Sequence, residues 1–342
     1  MSKMQRNSSI DAIKGVAITL VMLGHVFVHN HMEDAYVYDF IKAVQMPLFM
    51  IISGYLCGQG RKTFDVKTYK TVMKKRFITY MIPFFTWLTV MHLNNLKEAW
   101  TVIFVQLDYG LWFLAVLFIL TFMVYTAQVM AGTLKDKKYV LSEMIFWAVF
   151  GLFCLVLVVQ CVVGNSFLSP TLTIIYVPFY MLGYVAGNYG KRFFCWGTNE
   201  AGKINCKQNL FIRGLMILSA VGFLYLVAVK NLNCMETKLD ILTQMAASML
   251  GSAAIIYGVF SWKEGKCKTF FAKLGVYTLE IYVVHYHFAN ILNFYDKQFD
   301  FYTLEGAAFV LASFVVMCAI TFVSIWLMKK VKLMDKMFFG KF

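Results

Sequence analysis

Residues 10–29 read IDAIKGVAITLVMLGHVFVH, a largely apolar run of bilayer-crossing length that holds Lys14 and His25 well inside it. An ionisable side chain at bilayer depth is costly, so such residues turn toward the protein interior or a polar cavity rather than toward lipid. Two bland readings stand beside that one. A lysine near a helix end can snorkel to the headgroups, and a histidine can simply hydrogen-bond to a neighbouring helix.

Geometry ties the two residues together. They are 11 positions apart, which at about 100° per residue is three turns plus about 20°, so both project from one face, about 16 Å apart along the axis. Lys14 then lies near one end of the helix and His25 past the midplane. A common stripe points to a shared cavity, and a neutral imidazole there suits general-base work because its basicity lies near working pH.

The rest of the chain has the same character. Of its 342 residues 60% are hydrophobic and 15% charged, and the mean hydropathy of +0.65 is too high for a soluble domain. Ten apolar segments are long enough to span as helices: 12–30, 39–58, 76–94, 109–130, 143–163, 170–189, 211–229, 241–261, 274–293 and 305–328. The expected fold class is all-α, a polytopic transmembrane helical bundle of about ten helices. Connectors are short, so residues 1–342 are read as a single membrane domain with no appended soluble domain. Lys3 and Arg6 precede the first segment as in a secretory signal, but no small-x-small cleavage site follows, and the segment is read as a retained helix. Ser8 followed by Asp11 predicts a capping box at its start.

Basic residues set the orientation. With the N-terminus cytoplasmic, 27 of the 32 Lys and Arg fall on the inside and 5 on the outside, which predicts both termini in the cytoplasm. The net charge of +14 is then the excess that inside loops carry beside anionic lipid, and no nucleic-acid partner is needed to explain it. The eight cysteines form no CxxC pair. Cys57, Cys154, Cys161 and Cys318 fall in spans, Cys195, Cys206 and Cys267 in inside loops where thiols stay reduced, and Cys234 outside, so neither a disulfide framework nor a metal site is expected.

At this point the chain resembles a family. Ser8–Val26 (SSIDAIKGVAITLVMLGHV) is similar to the first helix of the membrane acyltransferase 3 family, whose signature is a basic residue, ten intervening positions and a histidine. Further similarities follow in the family's order: Met46–Gly58 (MPLFMIISGYLCG, with Ser53, Gly54 and Tyr55), Lys74–Phe85 (KKRFITYMIPFF), Gly110–Phe118 (GLWFLAVLF), Val177–Gly187 (VPFYMLGYVAG) and Leu274–Phe288 (LGVYTLEIYVVHYHF). Each motif alone is weak; six in order over most of the chain are strong.

The resemblance implies that His25 is the catalytic histidine and that Lys14 takes the family's basic position, usually arginine, keeping the charge but losing the planar fork. Arg76 matches the first basic residue of an Arg-x-x-Arg pattern, with Thr79 in the second position and Lys74 and Lys75 alongside. The implied donor is acetyl-CoA or another acyl-CoA, with Lys14, Lys74, Lys75 and Arg76 expected at the cytoplasmic mouth to bind its phosphates and the pantetheine arm reaching in along the Lys14–His25 stripe.

Weaker candidates remain. Glu280 is an acid within a span, equally suited to orienting substrate and to a structural hydrogen bond. It stands about 140° around a regular helix from His285, which resembles a recurrent family histidine, so the two are no obvious dyad. Ser53 beside Gly54 reads as a small-residue packing contact before a nucleophile, Tyr55 belongs to the same motif, and Trp112 with Phe113 reads as packing or interface aromatics. Glu33, Asp34 and Asp39 read as a solvated loop at the outer mouth.

The expected protein is thus a multi-pass enzyme of the bacterial cytoplasmic membrane. It would be an O-acyltransferase, acetyl being the expected group, that acts on a hydroxyl of a cell-envelope sugar or polysaccharide with His25 as base and no metal. The rival is a transporter or flippase of an envelope glycan or lipid-linked sugar. Against it, Pro47, Pro83, Pro170 and Pro178 are not symmetrically placed and the Lys14–His25 pair has no second-half counterpart. The acceptor sugar, the acyl group, the oligomeric state, and one displacement against an acyl-histidine intermediate stay open at this level.

Overall fold

The structure is a computed structural model, and it describes residues 7–59, 65–105, 107, 111–132, 139–193, 206–230, 232, 237–293 and 298–341. Lys3, Arg6, Gly110, Cys195 and Cys234 lie outside the described residues. Among those described, the regular structure is helical throughout: α1 (Ser8–Val28), α2 (Tyr36–Gln59), α3 (Val66–Met91), α4 (Leu96–Phe104), α5 (Trp112–Gly132), α6 (Tyr139–Val162), α7 (Pro170–Phe193), α8 (Cys206–Val229), α9 (Lys238–Phe260), α10 (Lys266–Val276), α11 (Thr278–Val284), a 3-10 turn (His285–Phe288), α12 (Leu304–Lys330) and α13 (Lys332–Phe339). Eight of these helices, α1, α2, α5, α6, α7, α8, α9 and α12, are long and apolar enough to cross a membrane. The polytopic helical bundle is what the hydropathy pattern predicts.

Two of the ten expected spans differ. The third becomes α3, 26 residues long but basic through its first half, with Lys67, Lys70, Lys74, Lys75 and Arg76 in its N-terminal turns. The ninth, expected as one helix over 274–293, is broken. α10 stops at Val276, Tyr277 donates its N–H back only three residues to Leu274, the Thr278 hydroxyl faces the Gly275 carbonyl at 3.4 Å, and a seven-residue α11 tightens into the 3-10 turn at His285. A side-chain hydroxyl that competes for a carbonyl of the preceding turn is a recognised cause of such breaks. Interrupted backbone at membrane depth is tolerated where protein buries it or a cavity receives it.

The first helix starts one residue earlier than expected. Asn7, not Ser8, is the cap, and its side chain accepts from the N–H groups of Ser9 and Ile10 at 3.0 and 3.4 Å. Asp11 is thereby released to pair with Lys14. At the start of α3, Asp65 accepts from the Thr68 N–H at 2.9 Å, and hydrogen bonds from the Thr68 hydroxyl and N–H hold its carboxyl below the usual carboxylate range. Cys206 and Cys267, expected in loops, fall in α8 and α10.

The chain divides into two compact units, Met1–Ile52 with Lys191–Trp326, and Ser53–Gly190 with Leu327–Phe342. In the first, α1 is the buried centre: Ala12, Ile13, Ala17, Ile18, Val21, Val26 and Phe27 are almost wholly enclosed. It packs on α10 backbone to backbone. A Cβ added at Gly15 would strike the Phe271 carbonyl, and one added at Gly275 would strike the Asp11 carbonyl, so each helix contributes the glycine that admits the other. α8 and α9 join through Ser219, whose hydroxyl donates to the Leu250 carbonyl at 2.9 Å.

In the second unit α5 is the buried axis, with Leu114, Val116, Leu120, Val124 and Ala127 enclosed. The end of α2 meets α7 through Gly54, Gly58 and Gly187, each held against facing backbone at Tyr180, Tyr184 and Tyr55. The short α13 docks on α3, where Trp87 Nε1 donates to the Phe338 carbonyl at 3.2 Å. Leu152, Leu155, Val156 and Val159 of α6 stay exposed, as a lipid-facing surface requires.

Candidate functional site

His25 sits in the last turn of α1. Around it the first unit gathers His29 one turn on, and His285 and Tyr286 from the 3-10 turn. The His25 ring lies 5.9 Å from His29, 5.1 Å from His285 and 5.2 Å from Tyr286, which it meets edge-on. Tyr286 also stands edge-on to His29 at 4.7 Å. Asn30 ties the two elements together, since its amide donates to the Val26 carbonyl at 2.7 Å and to the Ala289 carbonyl at 3.2 Å.

The bonding of His285 fixes its chemistry. Its Nδ1 lies 2.8 Å from the Ile281 carbonyl oxygen. A carbonyl only accepts, so Nδ1 carries the proton and Nε2 presents a lone pair. Among the described residues, His285 Nε2, His25 Nδ1 and His29 Nε2 are buried with no hydrogen-bond partner, as are Asn30 Oδ1 and Gln45 Oε1. The Gln45 oxygen reaches α1 at Gly24, the residue before His25, where a Cβ would come within 2.7 Å of it. Native interiors leave few polar atoms unpaired, and a cluster of them marks a place where a ligand or water supplies the partner.

Lys14 is half-buried and its Nζ lies 3.6 Å from Asp11. Between Lys14 and His25 on the shared face stand Ile18 and Val21, both closed off by packing at 1% exposure. The continuous polar seam expected along this helix is therefore interrupted by two aliphatic side chains. At the start of α1 a cavity of about 270 Å³ opens against α10, lined by Ser8, Asp11, Glu264, Lys268 and Lys273 among others. Lys268 Nζ donates to Glu264 at 2.7 Å, which holds that carboxyl below its ordinary range.

In the second unit, the three basic residues 74–76 part company. Successive helical positions differ by about 100°, so Lys74 and Lys75 face outward while Arg76 turns in. Arg76 Nη1 donates to the Tyr80 hydroxyl at 2.8 Å, its guanidinium lies over the Tyr80 ring at 5.6 Å, and it hydrogen-bonds Tyr125. Cys57, Tyr125 and Tyr180 continue this polar cluster, with Thr121 3.3 Å from the Tyr180 hydroxyl. Tyr55 accepts from Gln59 at 2.8 Å, Ser53 is half-buried beside the tightly packed Gly54, and Trp112 stacks on Tyr176 at 5.2 Å.

A family model described as an acyltransferase domain, that of acyltransferase 3, matches residues 7–329. The chain belongs to the acyltransferase 3 family. Comparison with curated proteins and with solved structures finds no match. Membership over nearly the whole chain, together with eight membrane-length helices, makes this a multi-pass membrane acyltransferase.

Within this family member the structure brings His25 and His285 together, although 260 positions separate them. Glu280 is buried at 1% exposure and engaged by its neighbours, while the His285 donor goes to Ile281 and not to an acid. Asp39, expected in a solvated loop, is buried in the first turn of α2. His29, Tyr286, Asn30 and Gln45 were not legible as site residues. His29 carried one signal, its spacing of four from His25, which places both on one helix face.

Proposed function

We propose that this membrane acyltransferase moves an acyl group, acetyl as the expected case, from acyl-CoA to a hydroxyl of a cell-envelope sugar or polysaccharide in the bacterial cytoplasmic membrane. The observation that carries the reading is the imidazole cluster at the end of α1, in which the His25 ring stands 5.1 Å from a second, fully buried histidine of fixed tautomer. A hydroxyl is a weak nucleophile, and an imidazole at hydrogen-bond reach is the residue type that activates it near neutral pH. His25 takes the hydroxyl proton as the oxygen attacks the thioester carbonyl. The carbon–sulfur bond then breaks, and the coenzyme A thiolate leaves with the proton returned by the imidazolium.

The donor's phosphates call for cations at the cytoplasmic side. Lys14, tied to Asp11, and Lys268 and Lys273, which line the cavity beside Asp11, supply charge at one end of α1. Lys74 and Lys75, outward on α3, remain candidates for the same task, and Arg76 for a supporting one. Glu280 supports the site in this reading, and Ser53, Tyr55 and Trp112 are supporting residues within the second unit. No metal takes part.

Replacement His25→Ala tests the proposal. Acylation of the envelope glycan, read by mass spectrometry, is expected to fall to background, while the protein inserts in the membrane at wild-type abundance. Normal acylation in that variant ends the assignment of His25 as base.

A further inference from the structure

The bonding of His285 implies a role that its burial alone does not. We propose that His285 is the positioning residue of His25: its Nε2 accepts a hydrogen bond from His25 Nδ1–H, which fixes the tautomer that leaves His25 Nε2 as the base. This rests on the reading of His25 as base.

Three observations converge. Ile281 holds the proton on His285 Nδ1, so Nε2 is an acceptor and nothing else while the ring is neutral. That acceptor is fully enclosed, and neither it nor His25 Nδ1 has any partner among the described residues. Finally, two imidazoles whose facing nitrogens share a hydrogen bond of about 2.9 Å have ring centroids about 5 Å apart, and these rings stand at 5.1 Å. The ring separation therefore suits the bond; in the structure the two nitrogens are not paired, and the proposed bond requires the His25 ring to turn.

The neighbouring groups serve less well. His29 is 5.9 Å away on the same helix and only half-buried, and among the described residues no backbone group fixes its tautomer. Glu280 already has an interaction of its own. An orienting acceptor behind a catalytic imidazole does two things, selecting the tautomer and stabilising the imidazolium that forms as the proton arrives. Here a neutral imidazole would do what a carboxylate does in other sites, without placing a second full charge in the membrane. The chemistry balances: the substrate proton passes to His25 Nε2 and returns to the leaving thiolate, and the Nδ1 proton stays throughout on His25, shared with His285.

The test uses full-length protein in membrane vesicles from cells that carry the envelope glycan, with acetyl-CoA as donor and coenzyme A thiol release as the readout. His285→Ala is expected to lower kcat by about 10²- to 10³-fold, with KM for acetyl-CoA changed by less than about threefold. His285→Gln, whose amide oxygen can accept and whose NH₂ can still donate to Ile281, is expected to recover at least about tenfold of that loss. Nitrogen-15 spectra of histidine-labelled protein supply a readout independent of turnover. Wild type is expected to show His25 protonated at Nδ1 when neutral, and the alanine variant to lose that preference. Unchanged kcat in both variants, an effect on KM alone, or an equal loss in both with the His25 tautomer unaltered overturns the proposal; if the alanine variant fails to accumulate, the glutamine spectra decide. His25→Ala run in parallel separates the two readings, because activity there removes the base assignment whatever the His285 variants do.

Discussion

His25 announces itself in the sequence because a polar ring in an apolar run has few reasons to be there. Its partnership with His285 does not, because nothing local encodes an encounter between residues 260 positions apart, and a regular helix over 274–293 would give His285 a different angular phase. Arg76 teaches the converse. Beside Lys74 and Lys75 it reads as part of a basic patch, yet the helical turn sends it inward to Tyr80 and Tyr125. The three residues should then respond differently to substitution. Arg76→Ala strands two tyrosine hydroxyls and removes a half-buried cation, an effect of about 1–3 kcal/mol, so the detergent-solubilised protein is expected to melt several degrees lower. The Lys74→Ala, Lys75→Ala double variant is expected to keep the wild-type melting temperature, since both side chains are outward, and to show itself in the KM for acyl-CoA. Equal thermal losses in both would mean that Arg76 is no more embedded than its neighbours.

Hydropathy located eight membrane-length helices to within a few residues, because twenty consecutive apolar side chains have few alternatives to a buried or lipid-facing helix. It could not resolve the ninth span. Averaged over a window, Leu274–Phe288 is apolar, and the window does not register the two local features at the break, the Thr278 hydroxyl facing the Gly275 carbonyl and the close approach of Gly275 to α1. The cap was displaced by one residue because Asn7 and Ser8 are both good N-caps and only geometry chooses between them. The α1–α10 contact is the element whose loss should matter most to the site, since α10 leads directly into the segment that carries His285. At Gly275 a methyl group has no room against the Asp11 carbonyl. Gly275→Ala is therefore expected to force the helices apart, at about 1–3 kcal/mol, and to lower both the melting temperature and the acylation rate. Ala at Gly151, where an added Cβ meets nothing within 4 Å, serves as the control. A Gly275→Ala protein as stable and active as that control would contradict the packing described.

At the scale of the whole molecule the prominent feature is charge placement. With 27 of 32 basic residues on the faces assigned inside, both termini are proposed to be cytoplasmic. Fusion of a reporter active only in the cytoplasm is expected to fluoresce at either terminus, and a phosphatase that needs the periplasm is expected to be inactive there; the opposite pattern at either end would invert the topology. That orientation places the start of α1, with Lys14 and the nearby cavity, on the side where acyl-CoA is made, and His25 eleven residues further in. The interruption of the shared face by Ile18 and Val21 argues against a path for the proposed thioester along the surface of α1.

The bond from His285 to Ile281 goes to the main chain. No exchange of side chain at 281 can delete that carbonyl, so the proton on the buried ring is dictated by the path of the backbone rather than by the identity of any neighbour. Evolution is free to vary residue 281 as far as volume permits, while an insertion or deletion of one residue between 281 and 285 would silence the ring without touching it.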